Sequence, residues 1–314
     1  MNKTNAAYTT AVIVPCYNEE TAIETVVKDF KRALPYAEIH VFDNNSKDRT
    51  SEIAQRAGAI VHHVALAGKG NVVRRMFADV DADIYIMVDG DATYDPLSAP
   101  KLIQKLVDED LDMVVGCRVE ETKDNNNYRL GHRFGNKLLT SSVQRMFGGK
   151  FTDMLSGYRV FSRRFVKSFP AESKGFEIET ELTVHTLEMK MPYSEVSTPY
   201  FERPVGSESK LSTYKDGIRI LKMIIRLYSN ERPSRFWGLF GGLFLLVTTA
   251  IMIPIAFEYF RTHEVLRFPT VIVASGMAVI GFLCITIGLV LRTVTKGRNE
   301  SKYLAYLQIP PVRK

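Results

Sequence analysis

Unbroken apolar runs alternate along the first two-thirds of the chain with stretches whose apolar residues recur every three or four positions. Ala11-Val12-Ile13-Val14-Pro15, Glu38 to Phe42, Ala59 to Val64, Ile84 to Val88 and Asp112 to Gly116 read as strands. The run Ile84-Tyr85-Ile86-Met87-Val88 has no polar side and reads as buried on both faces. Ile23, Val26, Val27, Phe30 and Leu34 recur at helical spacing. Further helices are expected over Asp48 to Ala57, from Gly68-Lys69-Gly70 to about Asp79, and from Pro96 onward. Asn18 is placed to cap the first helix, with Glu19 and Glu20 in its first turn. Strands alternating with helices of this length predict an α/β fold, a mostly parallel sheet with helices on both faces. Right-handed crossovers then bring the strand ends to one side. Asp43, Asp89 and Asp91 are therefore expected in one crevice.

The pattern changes toward the C-terminus. Phe236 to Phe260 is uncharged until Glu258, and Pro269 to Leu291 is uncharged throughout. Each is long enough to cross the hydrocarbon core as a helix, roughly 30 Å. The alternative is a hydrophobic dimerisation hairpin. Before them, Ile218, Leu221, Ile225 and Tyr228 fall on one helical face, and Lys215, Arg219, Lys222 and Arg226 on another, as in a helix lying on an anionic bilayer. Arg232 and Arg235 precede the first span; Arg292, Lys296 and Arg298 follow the second. The connector Arg261 to Phe268 holds only Arg261 and Arg267, so both termini are expected in the cytoplasm. The division expected is 1–210 catalytic, 211–235 juxtamembrane helix, 236–291 two spans and 292–314 a basic cytoplasmic tail.

Charge sharpens this division. The net charge of the 314 residues is +6, yet residues 1–209 carry 26 basic against 30 acidic side chains. The excess of positive charge flanks the apolar stretches, which argues against a general nucleic-acid binder. Met1 to Thr10 is polar and lacks the apolar core of a signal peptide. Cys16, Cys117 and Cys284 are odd in number and far apart, so neither a disulfide framework nor a zinc cluster is expected.

The chemistry centres on Asp89-Gly90-Asp91, two carboxylates at the end of a buried strand. Ligands of open α/β sheets gather there. Two such acids can share a hard cation, Mg²⁺ or Mn²⁺, that clamps a substrate diphosphate. Asp-Gly-Asp is also a common surface turn. Gly68-Lys69-Gly70 opens a helix, so its amides and Lys69 can approach phosphates, although the spacing is not that of a Walker loop. Arg118, Arg129, Arg133 and Arg203 can each hold phosphate oxygens in a bidentate way. Glu177, Glu179 and Glu181 lie in an expected helix, one touching the substrate and most of them solvated. His185 reads as a packed helix residue.

Five motifs in order give a resemblance. Val14-Pro15-Cys16-Tyr17-Asn18-Glu19-Glu20 resembles the opening motif of family 2 glycosyltransferases with the GT-A fold. Asp43-Asn44-Asn45-Ser46-Lys47-Asp48 resembles their second motif, with Asn44 and Asn45 in place of an acid and a glycine. Asp89-Gly90-Asp91 matches D-x-D. Asp153-Met154-Leu155-Ser156-Gly157-Tyr158-Arg159 resembles the D-x-x-S-G-[FY]-[RK] segment of polyprenyl-phosphate glycosyltransferases, the dolichyl-phosphate mannose synthase group. Phe201-Glu202-Arg203 with Ser207 to Leu211 resembles their F-x-x-R-x-x-G-x-S-K-L signature. The match covers roughly residues 10–215.

The resemblance implies that Pro15, Tyr17 and Glu19 line the nucleotide pocket and that Asp43 accepts a hydrogen bond from the base. Asp89 and Asp91 hold the metal; where some relatives place a third ligand, Gln, this chain has Thr93. Arg118, Arg133 and Ser156 go to the acceptor phosphate, Lys69, Arg203 and Lys210 to the donor. Asp153 stands where other members place a general base. A phosphate monoester is already largely ionised at neutral pH, with a second pKa near 6, so Asp153 is expected to position as much as to take a proton.

The expected reaction is inverting transfer of one sugar from a nucleotide-sugar to a polyprenyl phosphate, undecaprenyl or dolichyl, at the bilayer surface. Resemblance to bacterial members favours UDP and a hexose such as glucose; GDP-mannose is the alternative. A processive polysaccharide synthase is disfavoured because Q-x-x-R-W is missing and Arg235-Phe236-Trp237 does not replace it. A non-catalytic nucleotide-sugar scaffold is disfavoured by the retained acids and arginines. Related hairpin-bearing enzymes imply a homo-oligomer, with a tetramer as one form.

Overall fold

The computed structural model describes residues 8–120, 139–175, 177–204 and 213–312. Arg129, Arg133, Asn126 and the segment Ser207 to Leu211 with Lys210 lie outside the described residues, as does the side chain of Lys215. The chain divides into two compact units, Met1–Ile224 with Lys302–Lys314, and Ile225–Ser301.

The first unit is a seven-stranded sheet with helices. Its elements are β1 (Thr10–Cys16), α1 (Ile23–Ala33), β2 (Glu38–Asp43), α2 (Thr50–Arg56), β3 (Ile60–His63), α3 (Lys69–Asp79) and β4 (Ile84–Met87). A 3₁₀ turn (Pro96–Ser98) leads into α4 (Ala99–Asp108), and β5 (Met113–Glu120) follows. A helix described over 139–147 is α5. Then come β6 (Arg159–Ser162), α6 (Arg163–Ser168), α7 (Ile178–Glu188) and β7 (Tyr193–Tyr200). The strand order is β3-β2-β1-β4-β6-β5-β7. All neighbours pair in parallel except β6, which runs antiparallel to β4 and β5.

The register decides where the chemistry goes. Cys16 pairs with Asp43, and Ile13 with Met87, so β1, β2 and β4 end at one edge of the sheet. Because β6 is reversed, its starting residue Arg159 lies opposite Met87 and Val115. The preceding Ser156-Gly157-Tyr158 therefore enters the sheet at that same edge. β5 and β7 run parallel, so Arg118 and the residues after Tyr200 also arrive there. The core between sheet and helices gathers Val12, Val14, Ile86, Val88, Phe30 and Leu102, each nearly inaccessible.

Two local expectations change. α1 begins at Ile23 without a side-chain cap. Asn18 is left-handed (φ 52°), and its Oδ1 accepts from the Lys47 amide at 2.8 Å. It ties the first loop to the second instead of capping the helix. Gly90 is needed less for turn flexibility than for closeness: a Cβ there would lie 2.5 Å from Cys16 Sγ.

α8 (Thr213–Glu231) buries Ile220, Met223, Ile224 and Leu227, while Ile218, Leu221 and Ile225 of the expected apolar face are exposed. The helix thus carries two apolar stripes where the sequence pattern had singled out one. In the second unit, α9 (Pro233–Thr262) and α10 (Phe268–Leu307) are both long and apolar enough to cross a membrane. Their exposed residues include Leu239, Leu243, Phe257, Phe282 and Val290. Small residues bring them close: a Cβ on Gly241 would lie 2.6 Å from the Gly281 carbonyl oxygen. The expected basic tail is helical, since α10 runs unbroken to Leu307.

Candidate active site

Three carboxylate–cation pairs line the edge where the strands end. Asp89 follows β4, and its Oδ1 lies 2.5 Å from Lys69 Nζ. Lys69 also meets Glu179 Oε1 at 2.6 Å, and its ammonium is held between the two acids with 10% of the side chain exposed. Burial pulls its pKa down, but Asp89 and Glu179 outweigh that, so the pKa is raised and the ammonium stays charged. Asp91, buried, places Oδ2 at 2.5 Å from Arg203 Nη2. Asp153 receives a fork from Arg118: Nε to Oδ2 and Nη2 to Oδ1, both 2.7 Å.

The local chain explains how each side chain gets there. Arg203 reaches the site because β7 runs on beside the Asp91 turn: the Phe201 amide donates to the Thr93 carbonyl at 2.8 Å, and Tyr200 bridges Tyr94. Thr93 donates its hydroxyl to Asp91 Oδ1 at 2.6 Å. In the Gln position of relatives it therefore orients Asp91. Gly157 sits under Asp89, where a Cβ would lie 2.5 Å from Oδ2. The Gly157 amide donates to the Tyr94 hydroxyl at 2.9 Å. Burial raises the pKa of that phenol and keeps it neutral.

Several expected contacts take another form. Ser156 is fully buried and donates its hydroxyl to the Gly116 carbonyl at 2.6 Å, which braces the loop. The amides opening α3 are used inside the protein: Gly68 N donates to Asn44 Oδ1 at 2.7 Å and Gly70 N to the Lys174 carbonyl at 3.2 Å. Lys69 points to its two acids. Glu179 and Glu181 are buried, not solvated. Glu181 accepts from the amides of Glu172 and Ser173, fixing the segment that covers the start of α3.

The nucleotide-side residues occupy the ends of β1 and β2. Pro15 is half-buried at the end of β1, and Tyr17 is 42% exposed, an open ring and not a core-edge aromatic. Glu19 is buried, with its amide donating to Thr50 Oγ1 at 2.8 Å. Asp43 accepts from the Ser46 amide (3.1 Å) and the Ser51 hydroxyl (2.8 Å), the turn-capping arrangement. Asn45 adopts φ 63°, which Asn tolerates, so the turn survives without the usual glycine.

Two supports escaped sequence reasoning. Arg159, fully buried, donates to the carbonyls of Ser156 and Met154 and to Thr183 Oγ1, shaping the loop that carries Asp153. Its place at the end of the D-x-x-S-G-Y-R segment was the available signal. Glu195 of β7 accepts from the Thr152 amide and hydroxyl at 2.8 and 2.9 Å. Nothing in its exposed-looking strand pattern marks it. His185 is a packed residue as expected, edge-on to Phe165 and Phe169, and burial pulls its pKa down to about 3.

The donor set of Asp89 and Asp91 suits a hard divalent ion, being two carboxylates with no softer ligand. Among the described residues no group of three or more His, Cys, Asp or Glu side chains is arranged as a metal site. Further ligands must then come from water or substrate oxygen, as is usual for Mg²⁺ beside phosphates.

The comparisons agree with this geometry. The chain is 32% identical over 259 residues to glycosyltransferase AglJ of Haloferax volcanii, covering 81% of this chain and 84% of that one. It is 30% identical over 223 residues to the dolichyl-phosphate hexose transferase of the same organism, covering 71% and 95%. Among solved structures, glucosyl-3-phosphoglycerate synthase from Mycobacterium tuberculosis, in complex with Mn²⁺, UDP and glucosyl-3-phosphoglycerate, aligns with a TM-score of 0.58. That alignment has 23% identity and covers 71% of this chain and 80% of the other, a likeness of fold. The family model described as glycosyl transferase family 2 matches residues 11–169, from the first strand through α6. The match of that family model to half of the chain, with the likeness to these relatives across most of it, makes this protein a glycosyltransferase belonging to family 2.

Proposed function

We propose that the protein transfers a single sugar from a nucleoside-diphosphate donor to a polyprenyl phosphate at the membrane surface, with inversion at the anomeric carbon. The observation that carries this reading is the convergence of Asp89–Lys69, Asp91–Arg203 and Asp153–Arg118 on one sheet edge, in a chain that also has two membrane-length helices. Two anionic substrates must meet in such a reaction, and cations already stand beside Asp89, Asp91 and Asp153. The name of the dolichyl-phosphate hexose transferase relative supports the same substrate class. The lysines and arginines flanking the spans favour cytoplasmic termini. Resemblance to bacterial members favours UDP and a hexose.

Asp89 and Asp91 would hold Mg²⁺ or Mn²⁺, which when bound supplies positive charge to the departing diphosphate. Arg203 is the chain's own cation for that diphosphate: its guanidinium, paired with Asp91 in the structure, would turn to phosphate oxygen, and Asp91 would be one of the two residues holding the metal. Arg118 serves the acceptor phosphate from the other side of the cleft. A phosphate oxygen of the acceptor forms the new bond to the anomeric carbon as the bond to the diphosphate oxygen breaks. Asp153 has both oxygens engaged by Arg118 and acts by aiming it. The acceptor needs little help to ionise.

The test is a panel of nucleotide-sugars offered to the purified full-length protein with undecaprenyl and dolichyl phosphate, read by mass of the lipid product. One hexose added per lipid is expected, lost in Asp91→Ala and with chelator. A long polymer, or donor hydrolysis without lipid product, would refute the assignment.

A further inference from the structure

The buried ammonium of Lys69 is the feature that the reaction as described does not use. It lies 2.5 Å from Asp89 and 2.6 Å from Glu179, and all three side chains are largely shielded, with 10%, 28% and 5% exposure. Burying a charge is costly unless it is paired and hydrogen-bonded. One acid would have sufficed to neutralise Lys69; this chain supplies two, from β4 and from α7. Gly157 presses on the opposite oxygen of Asp89, where no larger side chain fits without a shift. Asp89 is thus held by one oxygen on Lys69 and seated by the other over a glycine.

We propose that Lys69 and Glu179 are positioning residues for Asp89: Glu179 fixes the ammonium, and the ammonium fixes the Asp89 carboxylate and offsets its charge. The proposal rests on the reading of Asp89 and Asp91 as the metal-holding pair. Glu179, Lys69, Asp89, Asp91 and Arg203 together carry one net negative charge. A divalent ion without its diphosphate therefore meets a weakly attractive site. Neutralising Lys69 makes the group more negative; neutralising Glu179 makes it less so. Neutralising both restores the net charge but leaves Asp89 unheld.

That set of three gives a test that separates charge from orientation. Mn²⁺ binding to the full-length protein is measured by electron paramagnetic resonance, with Mn²⁺ alone and with UDP or GDP added, for Lys69→Met, Glu179→Gln and the double variant. Lys69→Met should bind Mn²⁺ alone about tenfold more tightly, and Glu179→Gln several-fold more weakly, as expected for one unit charge at this range in a partly shielded site. The double variant should return to near the parent affinity. Turnover should stay at least about tenfold down in it, because orientation is not restored. Lys69→Arg, which keeps the charge, should bind Mn²⁺ like the parent. The double variant exchanges a buried ion pair for neutral residues of similar size, so it stays informative if a single variant does not fold. Unchanged Mn²⁺ affinity in all variants, or full turnover in the double variant, would overturn the proposal alone. No Mn²⁺ binding by the parent chain, with either nucleotide present, would overturn the metal reading and this proposal with it.

Discussion

Asp153→Asn asks whether the carboxylate works as a base or as a holder of Arg118. The structure gives the size of the second effect. Two charge-assisted hydrogen bonds of 2.7 Å join Asp153 to the Arg118 fork, with 10% of the Asp153 side chain and 27% of the Arg118 side chain exposed. Asparagine keeps one carbonyl oxygen and loses the other acceptor along with the charge. A hydrogen bond to a charged group contributes about 1.5–3 kcal/mol, so losing one from this partly shielded pair costs about 2 kcal/mol. At 1.36 kcal/mol per tenfold, that is about a 30-fold loss in kcat/KM for the acceptor.

A lost general base costs about 10²–10⁴-fold, so magnitude alone separates the readings only in part. The pH profile does the rest. If Asp153 only aims Arg118, the acid limb belongs to the acceptor phosphate, which protonates near pH 6. Asp153→Asn should then lower the whole profile by about 30-fold and leave that limb in place. The assay is initial-rate transfer to a soluble short-chain polyprenyl phosphate between about pH 5 and 8, where the phosphate titrates. Disappearance of the acid limb in the variant, or a loss beyond about a thousandfold, would refute the argument and return Asp153 to the role of base.

Gly157→Ala would place a methyl group 2.5 Å from Asp89 Oδ2, and Asp89 is tied to Lys69 and cannot swing freely; a shift on the order of 1 Å should cost about a hundredfold in turnover with the circular dichroism spectrum unchanged, and full activity would contradict it. His185 is buried and its pKa is lowered to about 3. Its folded value lies below the unfolded one near 6.5, so the unfolded chain binds more protons between them and stability is lost as pH falls through that window. Thermal midpoints of His185→Phe, which fits the Phe165 and Phe169 surroundings, should fall less steeply below about pH 6.5 than those of the parent; parallel curves would be the contrary result. Asp112, fully buried, accepts from Arg164 Nε (2.5 Å), Ser162 Oγ (2.7 Å) and Tyr306 Oη (2.8 Å). Asp112→Ala strands these donors and should cost about 3 kcal/mol, the low end for a broken buried pair, lowering the midpoint by about 6–12 °C. Tyr306→Phe should cost about half as much, and equal midpoints in all three proteins would count against the contact.

What the sequence revealed and what it hid have separate physical causes. The strands at Val12–Val14 and Ile84–Val88 were legible because burial on both faces leaves no polar residue in the run. The convergence of Asp43, Asp89 and Asp91 followed from parallel pairing, which sequence alternation implies. The reversal of β6 was not legible, since an apolar strand looks the same in either direction; it is what brings Gly157 beneath Asp89. The burial of Ser156, Glu179 and Glu181 was hidden for a common reason. A polar residue near a motif looks like a ligand contact or a solvated group. Whether it is buried depends on segments far away, here α3 and the residues covering it. Tyr306 shows the same limit at longer range: a terminal stretch rich in basic residues reads as a free tail until its contact with Asp112 is seen.

The pairing of Asp89, Asp91 and Asp153 with cations follows from the same energetics. A buried charge is costly unless it is paired and hydrogen-bonded. Such pairs add little to stability, since apolar replacements of equal volume often serve a fold as well. Three of them at one sheet edge are therefore better explained by exchange than by folding: under the proposed reaction the incoming phosphates would take over the guanidinium groups. Lys69 has two acids and a buried stem, and it should stay in place while the arginines move. The two kinds of cation can be told apart by substitution. Arginine variants should change substrate KM and its salt dependence. Lysine variants should change how the metal is held before any substrate arrives.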